Sequence, residues 1–120
     1  IEDDVIIGGN AAVHQFTRVG KMAMIGGMTG VTTDVIPYGL SLGNRNYLEG
    51  INLIGLRRKN IPNKDILELT SAYKEIFKTN KFRENLSKLN GEFKDSRLVN
   101  DIIEFINKDK KRPICTPFTK

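Results

Sequence analysis

Val13-His14-Gln15-Phe16-Thr17-Arg18-Val19-Gly20-Lys21-Met22-Ala23-Met24-Ile25-Gly26-Gly27-Met28-Thr29-Gly30-Val31 places an aliphatic residue at every sixth position. Working outward, the same step takes in Ile1 and Ile7, giving Ile1, Ile7, Val13, Val19, Ile25 and Val31. Neither an α-helix nor a simple strand has that period. Four residues after each aliphatic comes a small or β-branched one, in order Val5, Ala11, Thr17, Ala23, Thr29 and Val35, and Gly8, Gly20 and Gly26 directly follow three of the aliphatics. Hexapeptide repeats describe a parallel β-helix in which each repeat forms one flat face and a corner, and three repeats close a triangular coil. The aliphatic fills the middle of a face, the small residue fits where two faces converge, and glycine is expected to ease the turn. Six repeats predict two complete coils. The competing reading is a meander with Gly-Gly turns, but Ile6-Ile7-Gly8-Gly9-Asn10-Ala11-Ala12 does not keep the period of two that hairpin strands need.

The array ends where its step fails. The next aliphatic would fall on Pro37, and Ile36-Pro37-Tyr38-Gly39 is a turn signal. The reading divides the chain into a β-helix over 1–36, a linking segment with a substrate-binding loop over 37–60, an α-helical domain over 61–112 and an irregular tail over 113–120. In the helical part Ile66, Leu69, Tyr73, Ile76 and Phe77 share one face, followed by runs at Phe82, Leu86, Leu89 and Phe93 and at Leu98, Ile102, Phe105 and Ile106. Pro62 suits a helix start. The array opens in mid-repeat and without Met, which predicts further coils ahead of Ile1.

The 120 residues carry 19 Lys+Arg against 14 Asp+Glu, a net charge of +5 that favours an acidic partner. The single Cys forbids an internal disulfide. The absence of any apolar run near the ~20 residues needed to cross a bilayer, and of a signal peptide ahead of the repeats, points to the cytoplasm. One His cannot build the multi-histidine metal centre of a hexapeptide carbonic anhydrase, so no metal is expected. Lysines alternate with acids on the helices and no aromatic platform is evident, which argues against nucleic acid. A Ser or Cys nucleophile lacks a local base.

Four segments carry a resemblance: Gly8-Gly9-Asn10-Ala11-Ala12-Val13-His14-Gln15-Phe16, Gly43-Asn44, Asn52-Leu53-Ile54-Gly55-Leu56-Arg57-Arg58 and Ala72-Tyr73-Lys74. From Ile1 to about Lys111 the chain resembles the C-terminal half of the UDP-N-acetylglucosamine 3-O-acyltransferase family. The resemblance implies a left-handed parallel β-helix followed by a small α-helical C-terminal domain, assembled as a cytoplasmic homotrimer with active sites in clefts between subunits. Its activity is transfer of a 3-hydroxyacyl chain from acyl carrier protein, whose phosphopantetheine bears the acyl group, to the 3-hydroxyl of UDP-N-acetylglucosamine, the first step of lipid A biosynthesis. No other cofactor is implied.

The resemblance also distributes roles. A sugar hydroxyl needs a general base, and imidazole suits that task. The family's catalytic His lies roughly two coils before His14, so the chain itself is expected to hold no catalytic residue, its base lying upstream of Ile1. His14 and Gln15 fall on accessory substrate or acyl-chain contacts; the alternative for His14 is a side chain that bridges coils or packs at a subunit interface. Gly27 falls where the length of the acyl pocket is set, or it serves a turn. Asn52 and Arg58 fall on nucleotide contacts from an adjacent subunit, an amide for uracil or ribose and a guanidinium for phosphate oxygens. Arg57 and Lys59 extend the cluster toward acyl carrier protein or its phosphopantetheine. Two departures are Ile54, where some members have Glu, and Arg45, where some have His. The remaining alternatives are the sister N-acyltransferase of the same pathway and a noncatalytic trimeric scaffold that binds acyl carrier protein.

Overall fold

A computed structural model of the chain describes residues 1–42, 47–89, 93, 95–109 and 113–117. The six-residue step becomes stacked parallel strands. β1 (Ile6–Ile7) pairs with β3 (Met24–Ile25), and β2 (Ala12–Val13) pairs with β4 (Gly30–Val31). Ile6 lies beside Met24 and Ala12 beside Gly30, an offset of 18 residues, which is three repeats. A third face is held by Glu2 N donating to Val19 O at 2.9 Å and by a parallel bridge between Val19 and Val35.

The first five corners each turn through one residue in the left-handed region, three places after the aliphatic: Asp4, Asn10, Phe16, Met22 and Met28, with φ between 55° and 66°. None is glycine, which corrects the expectation that glycine eases the turn. Gly8 and Gly20 stand instead where the next circuit passes closely. A Cβ on Gly8 would lie 2.5 Å from the Gly27 nitrogen, and one on Gly20 would collide with Pro37.

The circuit shortens between Val31 and Val35. Val35, expected as the small residue of the sixth repeat, lies beside Val19, and Met24 lies beside Leu40, an offset of 16. Val35 is fully buried and takes the mid-face role. The corner at Asp34 has no left-handed residue; Tyr38, φ 65°, restores that corner type beneath Met22. Parallel stacking therefore runs on through β5 (Gly39–Leu42), where Ser41 lies beside Ile25, past the last residue that keeps the six-residue step. β5 then turns antiparallel into β6 (Tyr47–Ile51).

Among the described residues four α-helices follow: α1 (Leu53–Arg58), α2 (Asn63–Ile76), α3 (Phe82–Ser87) and α4 (Arg97–Lys108). The last three start where the apolar spacing predicts them, although α3 ends before Leu89 and Phe93 of the expected run; they bury Ile66, Leu69 and Ile76 on α2, Leu86 on α3, and Leu98, Ile102, Phe105 and Ile106 on α4. Ser96 caps α4 by accepting from Val99 N at 3.3 Å. One continuous core joins these residues to Val19, Ile25, Val31 and Val35 of the coil.

Asp34, 1% exposed, is the junction. Its carboxylate accepts from Arg18 N at 2.8 Å and from Arg18 Nε at 2.7 Å. The same guanidinium donates to Phe105 O at 2.9 Å and lies 4.2 Å over the Phe105 ring, tying α4 to the coil. Asp34 N donates to Pro113 O, Cys115 N donates to Asp34 O, and Leu48 N donates to Thr116 O, so residues 113–116 stitch the shortened corner to β6. Burial pushes the Cys115 thiol up to about 11.

Two predictions follow from this packing. Ile25 is fully buried while Ile7 is 40% exposed, so Ile25→Ala should lower unfolding stability by about 2–4 kcal/mol, Ile7→Ala by under ~1.5 kcal/mol, and Val19→Asp should abolish folding. Equal urea midpoints for the two alanine variants would contradict the assignment of the coil interior. The thiol's raised folded pKa means that the unfolded state loses its proton first. Stability should therefore hold below pH 9.0 and fall as pH rises toward about 11. Cys115→Ala should flatten that decline in urea titrations between pH 9.0 and 10.0, before the buried Tyr38 and Tyr73 phenols, also raised by burial, add to it; an unchanged slope there would rule the thiol out as its source.

Candidate functional site

α1 begins where β6 ends, and its first turn is fixed by one side chain. Asn52 Oδ1 accepts from Gly55 N at 3.1 Å, Asn52 Nδ2 donates to Met22 O at 2.9 Å, and Asn52 N donates to Tyr38 O at 2.7 Å. Asn52 thus caps the helix and fastens it to two stacked corners of the coil. A Cβ on Gly55 would strike the Asn52 amide, so glycine here lets the cap close. Leu56 is fully buried, while Leu53, Ile54, Arg57, Arg58 and Lys59 are exposed. Lys59 Nζ reaches Asp4 Oδ1 at 3.3 Å, a solvent-screened pair that guides rather than holds.

A cavity of about 230 Å³ opens between α1 and these corners, lined by Asp4, Ile6, Met22, Asn52, Gly55, Arg58 and Lys59. Its apolar wall comes from Ile6 and Met22, its charge from Arg58 and Lys59 against Asp4. That volume is below the ~300 Å³ at which ligand pockets usually begin, so it suits one part of a larger ligand. Among the described residues the Arg57 and Arg58 guanidiniums have no ion-pair partner, which leaves paired donors for an anion such as phosphate. Asn52 keeps one amide hydrogen and one oxygen lone pair beyond its structural bonds. A larger hollow of about 510 Å³ lies between α2 and α3 and contains none of the residues given a substrate or carrier-protein role from the sequence.

The structure brings Asn52, Arg58 and Lys59 together, with Arg57 on the same short helix. It does not bring His14, Gln15 or Gly27 to them. His14 and Gln15 are exposed at the corner following β2, with His14 N donating to Val31 O at 2.7 Å. Gly27 is exposed at the corner following β3, where a Cβ would lie 3.2 Å from Gly9 O. Asn52 is fastened at the remaining corner, formed by Asp4, Met22 and Tyr38. These candidates therefore occupy three different edges of one coil. Among the described residues the His14 imidazole has no hydrogen-bond partner. Gly43, Asn44 and Arg45 lie outside the described residues.

Cys115 is no nucleophile at neutral pH, being 2% exposed with its pKa raised to about 11 by burial. Among the described residues no three of His, Cys, Asp and Glu gather as metal ligands. Sequence reasoning missed Asp4 and Met22 as parts of this site. The signal was available: Asp4 and Met22 each stand three places after a step-six aliphatic, the position that turns the first five corners and so stacks into one edge.

Residues 34–115, more than half of the chain, match the family model described as UDP N-acetylglucosamine O-acyltransferase, domain 2. The chain is similar to acyl-(acyl-carrier-protein)-UDP-N-acetylglucosamine O-acyltransferases of Rhizobium etli, at 45% identity over 94% of this chain and 42% of the relative. It is similar to that of Rhizobium rhizogenes at 39% identity over 98% of this chain and 44% of the relative. The fold is similar to that of Arabidopsis UDP-N-acetylglucosamine acyltransferase, with TM-score 0.88 and 33% identity over 95% of this chain and 43% of that one. The Campylobacter jejuni UDP-N-acetylglucosamine acyltransferase gives TM-score 0.84 and 30% identity over 98% of this chain and 45% of that one. The chain thus spans less than half the length of these curated relatives and solved structures. With its match extending from the Asp34 junction through the Asn52-capped helix to Cys115, the chain belongs to the UDP-N-acetylglucosamine O-acyltransferase family.

Proposed function

We propose that this chain forms the nucleotide-binding, C-terminal part of an enzyme that transfers a 3-hydroxyacyl group from acyl carrier protein to the 3-hydroxyl of UDP-N-acetylglucosamine, the first step of lipid A biosynthesis. One observation carries the reading: Asn52 and Arg58 meet at one cavity, on a helix built for that placement, within the stretch that matches the family. Arg58 pairs with the diphosphate, and the spare amide hydrogen of Asn52 serves the uracil or ribose. Arg57 and Lys59 meet the acidic carrier protein or its phosphopantetheine, and charge complementarity there acts mainly on association.

His14 and Gln15 contact substrate, and Gly27 borders the acyl groove, from edges that only another copy of the chain brings opposite α1. The separation of the three edges supports a homotrimer with clefts between subunits. The same reading takes the coil as left-handed with two circuits over 1–36, followed by a linking segment over 37–60, a helical domain over 61–112 and a tail over 113–120; β5 is where the linking segment still stacks on the coil. Among the described residues no helix is long and apolar enough to cross a membrane, which is consistent with a cytoplasmic site of action. The general base that removes the sugar hydroxyl proton is assigned to the part of the enzyme outside this chain. The sister N-acyltransferase and the noncatalytic carrier-binding scaffold are the alternatives that the following tests separate.

Binding of UDP-N-acetylglucosamine, followed by calorimetry, should weaken about tenfold or more in Arg58→Ala, the loss of one charge-assisted contact, with the melting temperature nearly unchanged. An unaltered affinity would remove Arg58 from the site, and an equal loss of stability would make it structural. In a transfer assay with 3-hydroxyacyl carrier protein the chain alone should lack enzymatic turnover, since general-base catalysis contributes about 10² to 10⁴ in rate. Turnover at an enzymatic rate would place the base on His14. In sedimentation, a stable monomer for the protein at working concentration would contradict the trimer.

A further inference from the structure

The nucleotide reading leaves one buried aromatic unexplained. Tyr38 is 4% exposed, yet its backbone is in the left-handed region at φ 65°, which a bulky residue adopts only where its surroundings hold it. Three bonds do so. Tyr38 N donates to Lys21 O at 2.9 Å; its hydroxyl donates to Asp101 Oδ2 of α4; and its carbonyl accepts from Asn52 N at 2.7 Å. Asp101 is steadied in turn by Lys21 Nζ at 3.6 Å.

Asn52 is the residue that caps α1, and α1 carries Arg58 to the cavity. A continuous chain of contacts therefore runs from α4 through Asp101 and Tyr38 to Asn52, then through the helix to Arg58. We infer that Tyr38 and Asp101 are positioning residues for the nucleotide site: the helical part of the fold sets the pose of Arg58 through the Tyr38 hydroxyl. The inference rests on the reading of Asn52 and Arg58 as a nucleotide site. It extends that reading by assigning two residues that touch no ligand and lie on neither wall of the cavity. Burial, and then Asp101, hold the phenol well above the ordinary tyrosine range, so the hydroxyl remains a donor throughout the working pH range.

Removing the hydroxyl while keeping the ring leaves the core packing intact, so Tyr38→Phe isolates the bond. Two readouts are needed on the same chain: amide hydrogen exchange, and the affinity for UDP-N-acetylglucosamine. In Tyr38→Phe and Asp101→Ala, exchange at Gly55 and Leu56, whose amides bond to Asn52, should accelerate about tenfold, and affinity should fall about tenfold. Exchange at Ala12 and His14, whose amides bond within the coil, should stay unchanged. Asp101→Asn, which retains an acceptor, should restore both readouts to within about threefold. Acceleration spread equally over coil and α1 would make Tyr38 merely structural and overturn the inference. So would an unchanged affinity and unchanged α1 exchange in a background where Arg58→Ala does weaken binding. If α1 loosens while neither Tyr38→Phe nor Arg58→Ala changes affinity, the nucleotide reading fails and the inference falls with it.

Discussion

The fold turns on the buried carboxylate of Asp34. A three-faced coil with an 18-residue circuit would place the next mid-face residue at Pro37; shortening the corner by two residues places Val35 there instead. The shortened corner cannot use the left-handed turn that serves the others, and Asp34 replaces it with bonds to Arg18 N and Nε. A carboxylate 1% exposed is costly without partners, and the guanidinium supplies both charge and donors. Because Arg18 also donates to Phe105 O, the same pair that closes the coil docks α4. The backbone of Asp34 binds residues 113–115.

From that junction the placement of the site follows by geometry. The two-residue shortening brings Leu40 and Ser41 into register beside Met24 and Ile25, and Tyr38 beneath Met22. That register aims β6 so that Asn52 meets both corner residues at its start. An 18-residue spacing here would set Tyr38 two residues out of step with Met22 and leave the Asn52 amide without one of its two anchors. The cavity at α1 is thus a consequence of coil register, and its charge comes from residues that the helix exposes on the side away from Leu56.

Much of this was legible in the sequence. Six aliphatics at a six-residue step imply stacked faces, because only a closed circuit makes that period an inward-facing one, and the amphipathic spacing of α2 and α4 is equally direct. The motif from Asn52 to Arg58 was readable as a site, but only through resemblance; nothing in its composition announces that Asn52 caps a helix. Less legible was everything that depends on breaking the period. Val35 looks like the small residue of a sixth repeat, and only pairing with Val19 shows it to be the first of a new face. Asp34, Tyr38 and the strand-like run after Pro113 act through partners distant in sequence, Arg18, Asp101 and Leu48, which no local pattern links. The separation of His14 and Gln15 from Arg58 was invisible for the same reason: which corner a residue occupies depends on counting circuits in three dimensions.

The most direct measurement is a double-mutant cycle between Arg18→Met and Asp34→Asn by urea unfolding. If this pair is the junction of coil and helices, Arg18→Met leaves the buried Asp34 charge without its guanidinium and Asp34→Asn removes the charge that the guanidinium faces, and each should lose about 3–5 kcal/mol. The double variant should then be more stable than the sum of the two losses predicts, by about 1.5–3 kcal/mol. Losses that add to within ~0.5 kcal/mol would show that the two side chains act independently and would contradict the central place given to Asp34.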